Sequence, residues 1–144
     1  MNKADKAVAT FNQGFSCSQA VFSSFCEPLG LKRETALKIS QSFGGGMAHL
    51  GETCGAVTGA FMTIGLKHGR TRAEDAAAKE KTYELMRNFA ARFKALHGSI
   101  QCPRLLGVDL GTAEGMKLAQ EKNLFRTLCV KYVQDAAEIV GELL

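Results

Sequence analysis

Residues 71–98 read TRAEDAAAKEKTYELMRNFAARFKALHG, and this stretch decides the fold class. Tyr83, Met86, Phe89, Ala90, Phe93 and Leu96 recur every three or four residues, the spacing at which side chains share one face of an α-helix. Thr71-Arg72-Ala73-Glu74 has the form of a capping box and predicts that the helix opens there, while Gly98 closes it. So long a helix with a single apolar stripe needs other elements to cover that stripe.

The same period extends in both directions. Toward the N-terminus, Ala4, Ala7, Val8 and Phe11 mark a first helix closed by Gly14. Ser16 with Gln19 three residues on is a second capping box, opening a helix that runs to about Glu27 and is stopped by Pro28 and Gly30. A third helix over Arg33–Ser42 ends at Phe43-Gly44-Gly45-Gly46, since adjacent glycines do not continue a helix cheaply. Thr53 is expected to cap a fourth from Cys54 to about Lys67, closed by Gly69. Beyond the long helix, Pro103 predicts one turn through Leu106, with Cys102 as its flanking cap residue. Thr112 opens the sixth helix. The last runs from about Leu124 to Leu143, with Phe125, Leu128, Cys129, Tyr132, Ala136, Ile139, Val140 and Leu143 on one side. No strand-like alternation, repeat or linker interrupts this pattern. The expectation is an all-α bundle of about six or seven helices in a single domain, residues 1–144.

Composition narrows the function classes. Lys and Arg outnumber Asp and Glu by 18 to 14, and the basic residues are scattered, so the continuous basic face of a nucleic-acid binder is not expected. The longest apolar stretch, Cys54 to Leu66, spans 13 residues and is interrupted by glycine, short of the ~20 needed to cross a bilayer. No secretory signal is visible after Met1, and a cytoplasmic location is the expectation.

Five cysteines carry the chemical information. In a reducing compartment, several cysteines point to catalysis, redox sensing or metal ligation ahead of structural bridges. Three of them, Cys17, Cys54 and Cys102, fall at expected helix starts, where free N–H groups and the helix dipole stabilise a thiolate. Cys129 sits on the apolar face of the last helix and becomes chemically interesting only if those helix starts converge on it. Cys26 lies nine residues beyond Cys17 on the opposite side of the same helix, and is expected to pack with Phe22 and Leu29. There is no Cys-x-x-Cys, which argues against a thioredoxin-like dithiol and against a zinc ribbon. His97, near the end of the long helix, reads as a solvated helix-end residue, with a role as base or cation beside Cys102 as the sharper alternative. The Gly44-Gly45-Gly46 run lacks the Lys-Ser/Thr of a phosphate loop; it is expected to adopt positive φ and pass close to the cysteines. Gly55 and Gly59, one helical turn apart, suggest close approach by another helix or by a cofactor.

The string Cys54-Gly55-Ala56-Val57-Thr58-Gly59, preceded by Cys17 and followed by Cys102 and Cys129, resembles the family of redox-active proteins named for their C, GCAxxG, C, C pattern. Phe43-Gly44-Gly45-Gly46, Gly51-Glu52 and Gly98–Cys102 extend the likeness over nearly the whole chain. The resemblance implies that Cys17, Cys54, Cys102 and Cys129 are the reactive residues and leaves Cys26 outside the pattern. A similar domain occurs attached to a multihaem cytochrome, which keeps an iron-sulfur site in view; this chain has no Cys-x-x-Cys-His for c-type haem. The leading expectation is thiol–disulfide exchange or electron transfer, with Cys54 or Cys17 attacking and a redox protein or small thiol as partner. The alternative is an iron-sulfur cluster or zinc on the same four thiolates. A third reading is an interaction domain whose cysteines only pack, and a homodimer through the apolar last helix is also open.

Overall fold

The computed structural model describes residues 1–144. Asn2 caps α1 (Lys3–Asn12), its side chain accepting the Asp5 N–H at 2.8 Å. The chain turns at Gly14 into α2 (Cys17–Phe25), where the Ser16/Gln19 capping box is formed in both directions. Every residue from Ser18 to Phe25 is buried. α2 is thus the central rod, packed against α1, α3 (Arg33–Gln41), α4 (Gly55–His68) and α8 (Val130–Leu143). α5 (Ala76–His97) covers α4 and α8, and two shorter helices, α6 (Cys102–Leu106) and α7 (Ala113–Glu121), follow it. A 3₁₀ turn at Glu27–Leu29 and a π-helical turn at Phe125–Cys129 complete the helical structure.

The molecule is all-helical, with eight right-handed α-helices where six or seven are expected from the sequence. The added element is the short α6, whose single turn the sequence marks only through Pro103. One further segment, Gly44–His49, coils with the opposite hand: Gly45, Gly46, Met47, Ala48 and His49 have φ between 54° and 71°. No helix is long and apolar enough to cross a membrane.

Several element boundaries differ from the pattern-based expectation, each for a local reason. α5 opens at Ala76, because the Asp75 side chain accepts the Ala78 N–H at 3.1 Å. Glu74 is engaged instead by Arg72 at 2.6 Å and cannot reach back to close the expected box at Thr71. Cys54, not Thr53, is the residue flanking α4, because Thr53 is drawn into an antiparallel bridge with Gln101. Gln101 in turn becomes the cap of α6, and Cys102 moves one position into the helix. Tyr83 and Leu96, read as ends of the apolar stripe of α5, are 48% and 62% exposed. α5 lies at the edge of the bundle and buries a narrower seam, with Phe89 and Phe93 fully enclosed and their rings stacked at 5.9 Å. The apolar face of α8, with Val133, Ala136 and Val140 fully buried, is covered by α1, α4 and α5 of its own chain.

Candidate functional site

α2 and α4 cross closely enough that a Cβ on Gly55 would stand 2.3 Å from the Cys17 sulfur. A Cβ on Gly59 would stand 2.8 Å from the Ser18 carbonyl oxygen. The two glycines are therefore spaces into which α2 fits, and Gly55 also borders the cavity described below. This approach places the start of α2 against the start of α4, and with them Cys17 and Cys54.

Cys102 is brought to the same place by backbone pairing. The Cys54 N–H donates to the Ile100 carbonyl at 2.8 Å and the Cys102 N–H to the Glu52 carbonyl at 2.9 Å, so the loops bearing the two cysteines run side by side. The left-handed turn closes over them: the Glu52 N–H donates to the Gly46 carbonyl at 3.0 Å, and a Cβ on Gly46 would stand 2.7 Å from the Cys102 Cβ. Cys129 arrives from the opposite side, at the end of the π-helical turn that leads into α8. Next to it, the Tyr132 hydroxyl donates to the Leu105 carbonyl at 2.7 Å and fastens α8 to α6.

Cys17, Cys54, Cys102 and Cys129 all line one cavity of about 570 Å³. Its walls are largely apolar, formed among others by Phe11, Phe15, Leu105, Leu106 and Phe125. All four sulfurs are free thiols, and Cys26 stands apart, buried in a small cluster with Phe22 and Ala36. Leu29, its other expected neighbour, packs on the main core instead.

The four thiols are not equivalent. Cys17 is flanked by the Cys54 thiol and by the backbone N–H groups of Gly45, Ser18 and its own residue. Hydrogen bonds to the charged form favour it, and against the opposing effect of burial they bring Cys17 down to about 6. Cys54 is held well above the ordinary thiol range, first by its interaction with Cys17 and then by burial. Burial and the neighbouring Cys17 charge push Cys102 up to about 11. Burial, then Cys17 and Cys102, push Cys129 up to about 12. Among the four cavity thiols, Cys17 alone is shifted toward the charged form, and the other three are shifted toward the neutral one.

A metal or cluster site does not fit this arrangement. No group of three or more His, Cys, Asp or Glu side chains converges on a common point at ligating distance.

His97 is neither solvated nor beside Cys102 in the cavity. Its Nε2 lies 2.8 Å from Asp135 Oδ2, both side chains being nearly buried, at 13% and 10% exposure. The ring packs edge-on against Tyr132 at 4.8 Å, behind the cavity wall. The sequence carries no local signal for this pair, whose members are 38 residues apart. The left-handed turn escapes sequence reading for a different reason. Glycine at 45 and 46 permits it, but Met47, Ala48 and His49 cost about 1–2 kcal/mol each in that conformation and advertise nothing. Such backbone strain collects at functional sites, and here it brings Gly45 to the cavity wall beside Cys17, where its backbone helps to lower the thiol.

A family model described as "Putative redox-active protein (C_GCAxxG_C_C)" matches residues 15–143. No curated protein and no solved structure matches the chain.

Proposed function

The chain belongs to the C_GCAxxG_C_C family, and from that premise we propose that it performs thiol–disulfide exchange, with Cys17 as the attacking thiolate and Cys54 as the resolving thiol. One observation carries this reading: the close crossing at Gly55 sets Cys17 beside the start of α4, so that Cys17 and Cys54 share one cavity wall, and there Cys17 is lowered and Cys54 raised by their mutual interaction. Sequence position alone leaves Cys54 and Cys17 as equal candidates for the attack; the lowering of Cys17 and the raising of Cys54 favour Cys17.

The step balances with a disulfide R–S–S–R as oxidant. The Cys17 thiolate attacks one sulfur, forming a mixed disulfide and breaking the R–S–S–R bond. The departing R–S⁻ takes the Cys54 proton, which Cys17 no longer holds in place. The Cys54 thiolate then attacks the Cys17 sulfur and expels the second R–S⁻. The products are a Cys17–Cys54 disulfide, one R–SH and one R–S⁻, and two electrons have passed from the protein to the substrate. The reverse sequence oxidises a small dithiol pair, and the relative potentials set the direction.

The test is a thiol count with peptide mapping on protein purified without oxygen. One equivalent of a small disulfide is expected to remove two thiols, leave a Cys17–Cys54 bridge and be reversed by reductant. In a Cys17→Ser variant the loss of paired thiols disappears. Unchanged counts in the unaltered protein overturn the reading, and so does stoichiometric iron or zinc that is lost in Cys54→Ser, since the thiolates would then be ligands.

A further inference from the structure

The environment of Cys17 says what kind of disulfide can reach it. Cys17 is half-buried and lines the cavity, between α2, the left-handed turn and the α4 start. A disulfide on a folded protein sits on a broad surface and needs a nucleophile that protrudes. A cavity of about 570 Å³ falls instead in the range of small-molecule sites, which is roughly 300–1,000 Å³. Its aromatic and leucine walls suit an apolar body.

Besides Cys17, one wall side chain carries a fixed charge. Arg126 lines the cavity, no Asp, Glu or Lys does, and Arg126 takes part in no ion pair with the rest of the chain. It stands on the π-helical turn, next to Phe125 and three residues before Cys129. A π turn carries one more residue than an α turn and re-aims the side chains along it, and such turns are frequent at functional sites. A planar guanidinium with free donors is matched to a carboxylate.

We propose that this site takes a low-molecular-weight disulfide with an apolar body and a carboxylate, its S–S bond at Cys17 and its carboxylate at Arg126, and excludes disulfides of folded proteins. The proposal rests on the exchange reading of Cys17 and Cys54 and names the substrate class of that same site. Arg126 is then a specificity-determining residue that touches substrate away from the reacting sulfurs.

The experiment uses the full, reduced chain and three probes: 5,5′-dithiobis(2-nitrobenzoate), which is aromatic and carries carboxylates; 4,4′-dithiodipyridine, aromatic without a carboxylate; and insulin as a protein disulfide. Each second-order rate is divided by the rate of free cysteine with the same probe, which removes intrinsic differences among the disulfides. The expected order is carboxylate probe, then neutral probe, then insulin, the last lower by about a hundredfold, or some 3 kcal/mol at about 1.4 kcal/mol per decade. Arg126→Gln is expected to lower the ratio of carboxylate to neutral rates by about tenfold, the size of one lost charge-assisted hydrogen bond, and Arg126→Lys to restore part of it. A normalised insulin rate equal to that of the small probes overturns the substrate class. A rate ratio that Arg126→Gln does not move overturns the carboxylate site. No bridge formation at Cys17 with any probe overturns the exchange reading itself, which separates the two failures.

Discussion

Cys17 and Cys129 are both half-buried on the wall of one cavity, yet their thiols stand at about 6 and about 12. The difference lies in what each sulfur faces. Cys17 is the first residue of α2 and collects backbone N–H groups from its own helix start and from Gly45, together with the Cys54 thiol. Cys129 sits where the π turn runs into α8, its backbone already spent in helical hydrogen bonding, and meets only burial and neighbouring sulfur charge. A helix start is nevertheless not sufficient. Cys102 is also a first-turn residue, and it stands at about 11 because burial, then Cys17 and Asp109, raise it and no backbone N–H offsets them. The lowered thiol is made by two segments meeting, α2 and the left-handed turn.

The largest expected effect is the difference in reactivity itself. At pH 7 a thiol at about 6 is roughly nine-tenths thiolate, while one at about 12 has on the order of one part in 10⁵. The weaker base is the poorer nucleophile, which removes nearly three of those five decades at a Brønsted slope of about 0.4–0.5. Alkylation by limiting iodoacetamide is therefore expected to mark Cys17 over Cys129 by about a hundredfold, with a pH midpoint near 6 for Cys17. Equal labelling of the two would erase the comparison.

Gly55→Ala attacks the contact on which the comparison is built. The added Cβ would stand 2.3 Å from the Cys17 sulfur and 3.1 Å from the Ser18 nitrogen, so the sulfur must leave its donors or the helices must part. Overpacking of this kind costs about 1–3 kcal/mol. The Cys17 alkylation midpoint is expected to rise toward the ordinary thiol value, while Cys129 does not change. A variant that keeps its midpoint while losing stability in urea would show that the close crossing serves packing alone.

The Cys17 thiolate also leaves a signature in stability against pH. Its pKa is lower in the folded than in the unfolded chain, so between about 6 and the unfolded value near 9 the unfolded chain binds the extra proton. Stability contributed by Cys17 is thus present above that window and is lost as pH falls through it, at about 1 kcal/mol per pH unit. Cys17→Ser is expected to flatten urea midpoints between pH 6 and 8.5 relative to the unaltered chain. An unchanged slope would return Cys17 to the company of Cys129.

How much of this is legible in the sequence follows from the distance over which each feature is specified. The Ser16/Gln19 box is local and is read correctly, as are the Thr112 cap and the all-helical class carried by Phe89 and Phe93. The α5 start is misplaced by four residues because Thr71 and Asp75 are both good caps, and the choice between them depends on Arg72 taking Glu74. The four cavity-lining cysteines are named in advance by family resemblance, and their helix-start positions make three of them equal. What singles out Cys17 is the Gly45 N–H, supplied from another segment by a turn whose Met47, Ala48 and His49 run against propensity. The His97–Asp135 pair is hidden in the same way, since a histidine at a helix end is ordinarily satisfied by the dipole alone.

The smallest effect tests whether the α2 start acts through its geometry. Ser16 accepts the Gln19 N–H at 3.3 Å and Gln19 returns a bond to the Ser16 N–H at 3.0 Å, which holds the first turn of α2 in the shape that presents its N–H groups to Cys17. Ser16→Ala removes one arm and is expected to cost about 1 kcal/mol in urea unfolding. If the two-segment account is right, the Cys17 alkylation midpoint rises only slightly, because the Gly45 N–H and the Cys54 thiol remain in place. A midpoint that climbs as far as in Gly55→Ala would mean that the helix start alone makes the thiolate. The contrast between Cys17 and Cys102 would then need another cause.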